Sequence, residues 1–418
     1  MSGTGFLMTK DRVTTLTPGI HTLGAQGNAM AIETASGVVL VDTGPGGAKT
    51  ASAIQGLRSV TDKPVLAIVF SHGHLGYNFG VDQWLAHAAE RGDPRPRLVA
   101  HARLPDRYRR YIETAGLQSW LNSRQFRTAY PAEVQPHWYR MPDETYDTRM
   151  VIDGGDREVV LIHAPSETDD TTAVWVPDAK LLYGSAAVIK SMPNVGTPLR
   201  TIRDPIRWAN TLEMLHALGP DILVPEFGAP VTDAQGLADA LLLPARLLRW
   251  LRAAVVERMN RGMSLDTIVH DIQYPDEFLT HRALKQNYGA LDYIVRDIWR
   301  SENGWWDRNP THLHPAEPKA VGHTVFAALG DPSVVLARAK ALAEAGEPQL
   351  AMHVVDLVVA GPDDNAVVRG AIALKASLCE TLSAGMSSFV SRNLYLSAAD
   401  DLRGQAITDA DGRKSAWA

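Results

Sequence analysis

The hydrophobic pattern changes character near Pro244, and this change constrains the fold more than any other feature of the chain. Before it, short β-branched runs such as VVLV at 38–41 and EVVLI at 158–162 alternate with helical stretches such as DPIRWANTLEMLHAL at 204–218. After it, PARLLRWLRAAVVERMNRGM carries apolar residues at 247, 248, 251, 254 and 255, the spacing of one helix face. Almost no strand pattern follows. The first part therefore predicts layered mixed sheets with helices outside, and the second an all-α region.

Composition narrows the function classes. A chain of 418 residues with 45% hydrophobic and 21% charged residues has the size of two or three globular domains. Its net charge of −6 arises from 41 basic and 47 acidic groups with no basic run, which argues against nucleic-acid binding. A single cysteine, Cys379, excludes an intrachain disulfide framework, and its setting in ALKASLCETL reads as a small buried residue of a helix. The start, MSGTGFLMTKDRV, lacks the charged-then-apolar pattern of a signal peptide, and no apolar run approaches the roughly 20 residues of a membrane span. Cytoplasmic residence with no membrane partner is the expectation.

The chemistry concentrates in four stretches. PVLAIVFSHGHLGYNFG ends a strand-like run in His72-Gly73-His74, and two imidazoles two residues apart can converge on one cation once the backbone leaves a sheet. Zinc and iron both accept such donors, although the same tripeptide also occurs as solvated loop. Upstream, GNAMAIETASGVVLVDTGPGG reads as two strands ending in Val41-Asp42-Thr43-Gly44. Downstream, EVVLIHAPSETDDTTAVWVPDAKLLYGSAAV gives strand, turn, strand, hairpin and strand, with Ser166-Glu167-Thr168-Asp169-Asp170 in its turn and Gly184-Ser185 at its end. The fourth stretch is Pro225-Glu226-Phe227-Gly228.

Together these stretches resemble the signatures of the metallo-β-lactamase superfamily, in its alkylsulfatase-like branch. The resemblance implies an αββα sandwich over residues 1–240. It extends into NYGALDYIVRDIWRSENGWWDRNPTHLHP, which is similar to the alkylsulfatase dimerisation segment, so a helical dimerisation region is expected over 241–330 and a homodimer with it. Trp305 and Trp306 are candidate interface anchors, aromatic residues being common there. Residues 331–405 read as helical hairpins similar to a tetratricopeptide stack, and 406–418 as a polar tail. The sterol-carrier-like domain that follows in full-length alkylsulfatases is expected to be missing.

The resemblance also sorts the site residues. It places the ligands of one metal on His72, His74 and Glu167, all of which are present. The ligands of a second metal would fall on Gly76, Tyr77 and Phe227, with a bridging carboxylate at Ser185, and all four positions lack good donors. One divalent metal is therefore expected, zinc in the first place and iron(II) as the alternative. Asp42 would orient the imidazoles from behind, a role that fixes their tautomer. Asp169 or Asp170 would act as general base, and Tyr77 would donate a hydrogen bond or become a phenolate ligand. Asn194 and Arg200 fall where alkylsulfatases hold sulfate, a task that suits the planar donor fork of arginine. His312 and His314, bracketed by Pro310 and Pro315, have no strand before them and are not expected to bind metal.

Three functional classes follow. The first is a one-metal hydrolase acting on a small ester-like or anionic substrate, sulfate esters included. The second is a mononuclear non-haem iron oxygenase on the same triad. The third is a retired enzyme serving as a binding or scaffold subunit.

Overall fold

A computed structural model describes residues 7–10, 12–131, 133–135 and 137–407. Seven strands form the first sheet in sequence order: β1 (Thr14–Thr17), β2 (Ile20–Ala25), β3 (Gly27–Thr34), β4 (Gly37–Val41), β5 (Val65–Val69), β6 (Arg97–His101) and β7 (Glu144–Tyr146). The second sheet has the order β12-β11-β10-β9-β8, built from β8 (Arg149–Asp153), β9 (Glu158–His163), β10 (Thr172–Val176), β11 (Leu181–Tyr183) and β12 (Ile222–Val224). Both sheets are mixed, β4 to β7 pairing in parallel and β11 pairing in parallel with β12.

Strand alternation explains the layers. In β4, Val39 and Val41 face the second sheet and join Val69, Val99, Leu161, Val174 and Val176 in the core between the sheets. Val38 and Leu40, on the opposite face of the pleat, pack with Ile68 and Leu98 beneath an outer helical layer. That layer contains α1 (Gly47–Arg58), α2 (Val81–Glu90) and α3 (Leu104–Glu113), which contribute Leu57, Trp84 and Tyr108, and it continues into α4 (Ala115–Phe126). With both faces covered, β4 and β5 read as unbroken apolar runs, as parallel strands between helices should.

Behind the second sheet lie α5 (Pro205–Ala217) and α6 (Ala234–Asn260). Asp204 caps α5 by accepting from the Ile206 and Arg207 N–H groups, so the helix begins where the sequence places it. The expected boundary at residue 240 falls inside α6, which continues through Pro244. Its buried face runs from Leu237 and Leu241 to Leu251 and Val255 without a break, and packing along that face carries the helix across the proline. The pattern change thus follows the end of the strands, and α6 runs across it.

The remaining helices are α7 (Leu265–Asp271), α8 (Asp276–Thr280), α9 (Leu291–Asn303), α10 (Pro310–Leu313), α11 (Pro318–Ala328), α12 (Pro332–Glu344), α13 (Pro348–Val359), α14 (Ala366–Ala384) and α15 (Phe389–Leu402). Ile294 and Ile298 of α9 enter the core shared by α5 and α6. From α12 onward successive helices pack against one another around Leu336, Val355, Ala371 and Cys379, which is buried as expected. α15 then docks back on α4 through Arg124–Asp401 and Arg127–Asp400 ion pairs, both at 2.7 Å, and Asn393 Nδ2 donates to Gln125 O. Among the described residues no single helix is long and apolar enough to cross a membrane. Residues 408–418 of the expected tail lie outside the described residues.

Candidate metal and anion site

Four chain segments leave the sheets at one edge of the sandwich. Asp42 follows β4, the Ser71–Tyr77 loop follows β5, Glu167–Asp170 follow β9, and Glu226 follows β12. Parallel pairing places the β4 and β5 exits side by side, and the Thr172 N–H donates to Ser71 O at 2.7 Å, tying the second sheet to the first at this edge.

Asp42 sits in the left-handed region, with φ 61. Its carboxylate accepts from Ser71 N at 2.9 Å, Ser71 Oγ at 2.5 Å and Asn78 Nδ2 at 2.9 Å. Burial pushes its pKa up to about 6, and the bonds from Ser71 and Asn78 limit the rise. At neutral pH the ionised carboxylate takes the single hydroxyl proton of Ser71, so Ser71 Oγ can only accept from His72 Nδ1, 2.9 Å away. The imidazole proton is thereby fixed on Nδ1 and the Nε2 lone pair faces the site, the orientation expected of Asp42 but achieved through Ser71.

Both imidazoles are neutral. Burial pushes the His72 pKa down to about 4, and burial with the neighbouring His72 holds His74 well below its ordinary value. The rings lie edge to face with centroids 4.7 Å apart. His72 Nε2 is buried and lacks a hydrogen-bond partner among the described residues, and Glu226 Oε1 lies 3.8 Å from it.

Glu226 was not singled out from the sequence, although an acid inside the apolar stretch ILVPEFG is a visible anomaly. It is 1% exposed and accepts a hydrogen bond from the Tyr77 hydroxyl. Burial, reinforced by the charge of Glu167, holds the Glu226 carboxyl well above the carboxylate range. Burial and the Glu226 carboxyl raise the Tyr77 phenol in turn.

Glu167 accepts from Asn194 Nδ2 at 3.0 Å and forms an ion pair with Arg203, whose Nη1 lies 3.2 Å away and donates to Asn194 O. Asn194 therefore lies beside Glu167, and its Oδ1 is buried without a partner among the described residues. Arg200 instead donates to Asn122 Oδ1 of α4 at 2.9 Å. The arginine that reaches Glu167 is Arg203, three residues on, fixed by its backbone N–H donating to Asp297 of α9 at 3.0 Å. Asp169 and Asp170 share one partner, Arg107 of α3, whose Nε donates to Asp170 at 2.7 Å. The stem of Arg107 packs so tightly on the histidine loop that a Cβ at Gly73 would stand 2.6 Å from Arg107 Cδ. Elsewhere, His312 is exposed and bonded to Asp307 at 2.5 Å, remote from this cluster.

Comparison with known proteins identifies two domains. The metallo-β-lactamase superfamily pattern matches residues 23–226, and the alkylsulfatase dimerisation pattern matches residues 264–405. The chain carries a metallo-β-lactamase superfamily domain followed by an alkylsulfatase dimerisation domain. It is 25% identical over 397 residues to a linear primary-alkylsulfatase from a Pseudomonas species, covering 90% of this chain and 74% of the relative. To an (R)-specific secondary-alkylsulfatase from Pseudomonas it is 26% identical over 417 residues, covering 92% of this chain but 61% of the relative. Its fold superposes on the stereoselective inverting sec-alkylsulfatase Pisa1 from Pseudomonas with a TM-score of 0.80 at 22% identity, over 97% of this chain and 67% of that one.

The positions that the resemblance assigns to a second metal make other contacts in the structure. Gly76 has φ +92, and a Cβ there would meet Gln26 Oε1 at 2.0 Å, because Gln26 reaches in to donate to Leu75 O at 2.6 Å. Ser185 sits at φ 50 with its hydroxyl 3.5 Å from Ser71 O. Phe227 is half-buried, and its neighbour Glu226 is the side chain that enters the site.

The superfamily implies a divalent metal, and the donors present suit one in kind: two neutral imidazoles, one with an unpartnered lone pair, and two carboxyl groups. Among the described residues no three His, Cys, Asp or Glu side chains converge as they stand. Glu167 would have to exchange its contact with Arg203 in order to serve as the third ligand.

Proposed function

We propose that the chain is a metal-dependent hydrolase of small anionic ester-like substrates, sulfate esters among them, with a single cation held by His72, His74 and Glu167. The observation that carries this reading is the buried, unpartnered Nε2 of His72, kept free by the Asp42–Ser71 relay behind it. That relay costs a buried carboxylate, and a structural histidine would not require it. When bound, the cation supplies Lewis acidity and lowers the pKa of a water ligand towards 7.

The chain's own residues do the rest. Arg203 and Asn194 present donors beside Glu167, where the oxygens of an anionic ester would gather. Arg107 fixes Asp169 and Asp170, so whichever of them takes up a proton does so from a defined position. The Tyr77–Glu226 pair supports a single-cation reading by filling part of the region that a second metal would use. The dimerisation region and Trp305, 72% exposed, support a homodimer.

A second reading, an anion-binding protein without turnover, is favoured by one observation: Glu167 is already engaged by Arg203 and Asn194. Elemental analysis of protein purified without added metal, together with sulfate release from a short alkyl sulfate, separates the two. About one equivalent of zinc or iron with turnover supports the hydrolase. No metal and no turnover leaves the binding protein, and about two equivalents would refute the single-cation site. His72→Ala should abolish metal retention.

A further inference from the structure

Beside Glu167 a cavity of about 410 Å³ opens to solvent, within the range of small-molecule sites. Its lining is unusual in charge. Arg103, Arg107, Arg110, Arg203 and Arg207 all border it against the acids Glu167, Asp169 and Asp106, the last paired with Arg109, and the large apolar side chain on its wall, Ile202, is 43% exposed. Three of these arginines already hold acids: Arg203 holds Glu167, Arg107 holds Asp169 and Asp170, and Arg103 lies 3.4 Å from Asp169. Arg110 and Arg207 have no carboxylate within ion-pair distance among the described residues. Arg110 rests over the ring of Tyr111, 5.2 Å from its centroid.

A wall of this kind discriminates between substrates. An aliphatic chain laid in the cavity would lose water without gaining apolar contact and would dehydrate guanidinium groups, which is unfavourable. A second anionic group on the substrate would instead meet the two arginines that have no internal partner, with the planar donors that suit carboxylate or sulfate.

We propose that this cavity selects short substrates carrying two anionic groups, the ester at Glu167 and Arg203 and a second acid at Arg110 and Arg207, over long-chain alkyl esters. The assignment rests on the hydrolase reading for its chemistry but not for its binding. The test compares two probes on the full chain, the sulfate monoester of 3-hydroxypropanoic acid and hexyl sulfate, by titration calorimetry and by sulfate release. The dianion should bind at least about tenfold more tightly at low salt, and its advantage should shrink as ionic strength approaches about 0.15 M, where the screening length is about 8 Å.

In the double variant Arg110→Gln, Arg207→Gln the dianion's advantage should collapse to within about twofold, whereas Arg140→Gln, a surface change at a residue paired with Asp82, should keep it. If the double variant melts early, the exposed Arg207→Gln alone should lower the advantage by at least about threefold. Tight dianion binding without sulfate release would defeat the hydrolase reading and leave this proposal standing. Preference for hexyl sulfate, an unchanged advantage in the variants, or binding of neither probe would overturn it.

Discussion

Arg107 offers the sharpest test of how the site is held together. Its guanidinium, 12% exposed, bonds Asp170, whose side chain is fully buried and whose Oδ2 already lacks a partner among the described residues. Arg107→Met keeps an apolar stem against Gly73 but removes the charge, leaving Asp170 as an uncompensated buried carboxylate. Breaking such a pair from one side costs about 3–5 kcal/mol. Asp169, 38% exposed, can rehydrate, so its share is at most about 1 kcal/mol. At about 2–4 °C per kcal/mol for a unit of this size, the melting temperature should fall by roughly 10 °C. Adding Asp170→Asn removes the stranded charge, so the double variant should regain about 2 kcal/mol relative to Arg107→Met. Near-UV circular dichroism melts of chelated protein at pH 7 would measure both steps. A loss below about 1 kcal/mol in Arg107→Met, or a double variant no more stable than the single one, would refute the claim that this ion pair organises the loop.

Two further outcomes follow from particular residues. Placing a carboxylate at one of the second-metal positions with Gly76→Asp should not rebuild a second metal site but destabilise the fold by about 2 kcal/mol or more, since the position has positive φ and its Cβ would displace the buried Gln26 amide from Leu75; a folded variant retaining about two metal equivalents would contradict this. Asp42, raised from about 3.9 in the unfolded chain to about 6 in the folded one, stabilises the fold fully only below pH 4, and that contribution is lost as pH rises to about 6. The stability difference between the chelated native chain and Asp42→Asn should therefore shrink by about 3 kcal/mol between pH 4 and pH 7 in urea titrations, and a pH-independent difference would show that the carboxyl is not buried as described.

The sequence carried the site's outline because its signatures sit at strand ends, where local pattern and position coincide. His72, His74, Glu167 and Asn194 could be placed from adjacent residues, and the structure brings them to one edge of the sandwich. The partners that tune them could not be read in this way. Ser71 is an ordinary strand-end serine until Asp42 arrives from β4, and Gln26 becomes relevant only because Gly76 leaves room for it. Arg200 and Arg203 are equivalent candidates in PLRTIRD, and the choice between them is made by Asp297, nearly a hundred residues away. Glu226 is the instructive omission. The resemblance points to Phe227, whereas the acid beside it turns inward, since Tyr77 offers it a hydrogen bond that a buried carboxyl needs. At Pro244 the structure adds what a local pattern cannot: a proline need not break a helix whose buried face is continuous.

The distribution of charge carries the last step. In this site acids are balanced by Arg107 and Arg203, fixed cations that can attract an anion but cannot polarise a bound water as a metal does. Recognition and turnover should therefore separate cleanly. Stripping metal with a chelator should abolish sulfate release, while the affinity for the dianionic sulfate ester measured by calorimetry should change by less than about threefold, because the guanidinium groups remain. If affinity falls in parallel with turnover, the cation and not the arginines dominates binding, and the division of labour argued here fails.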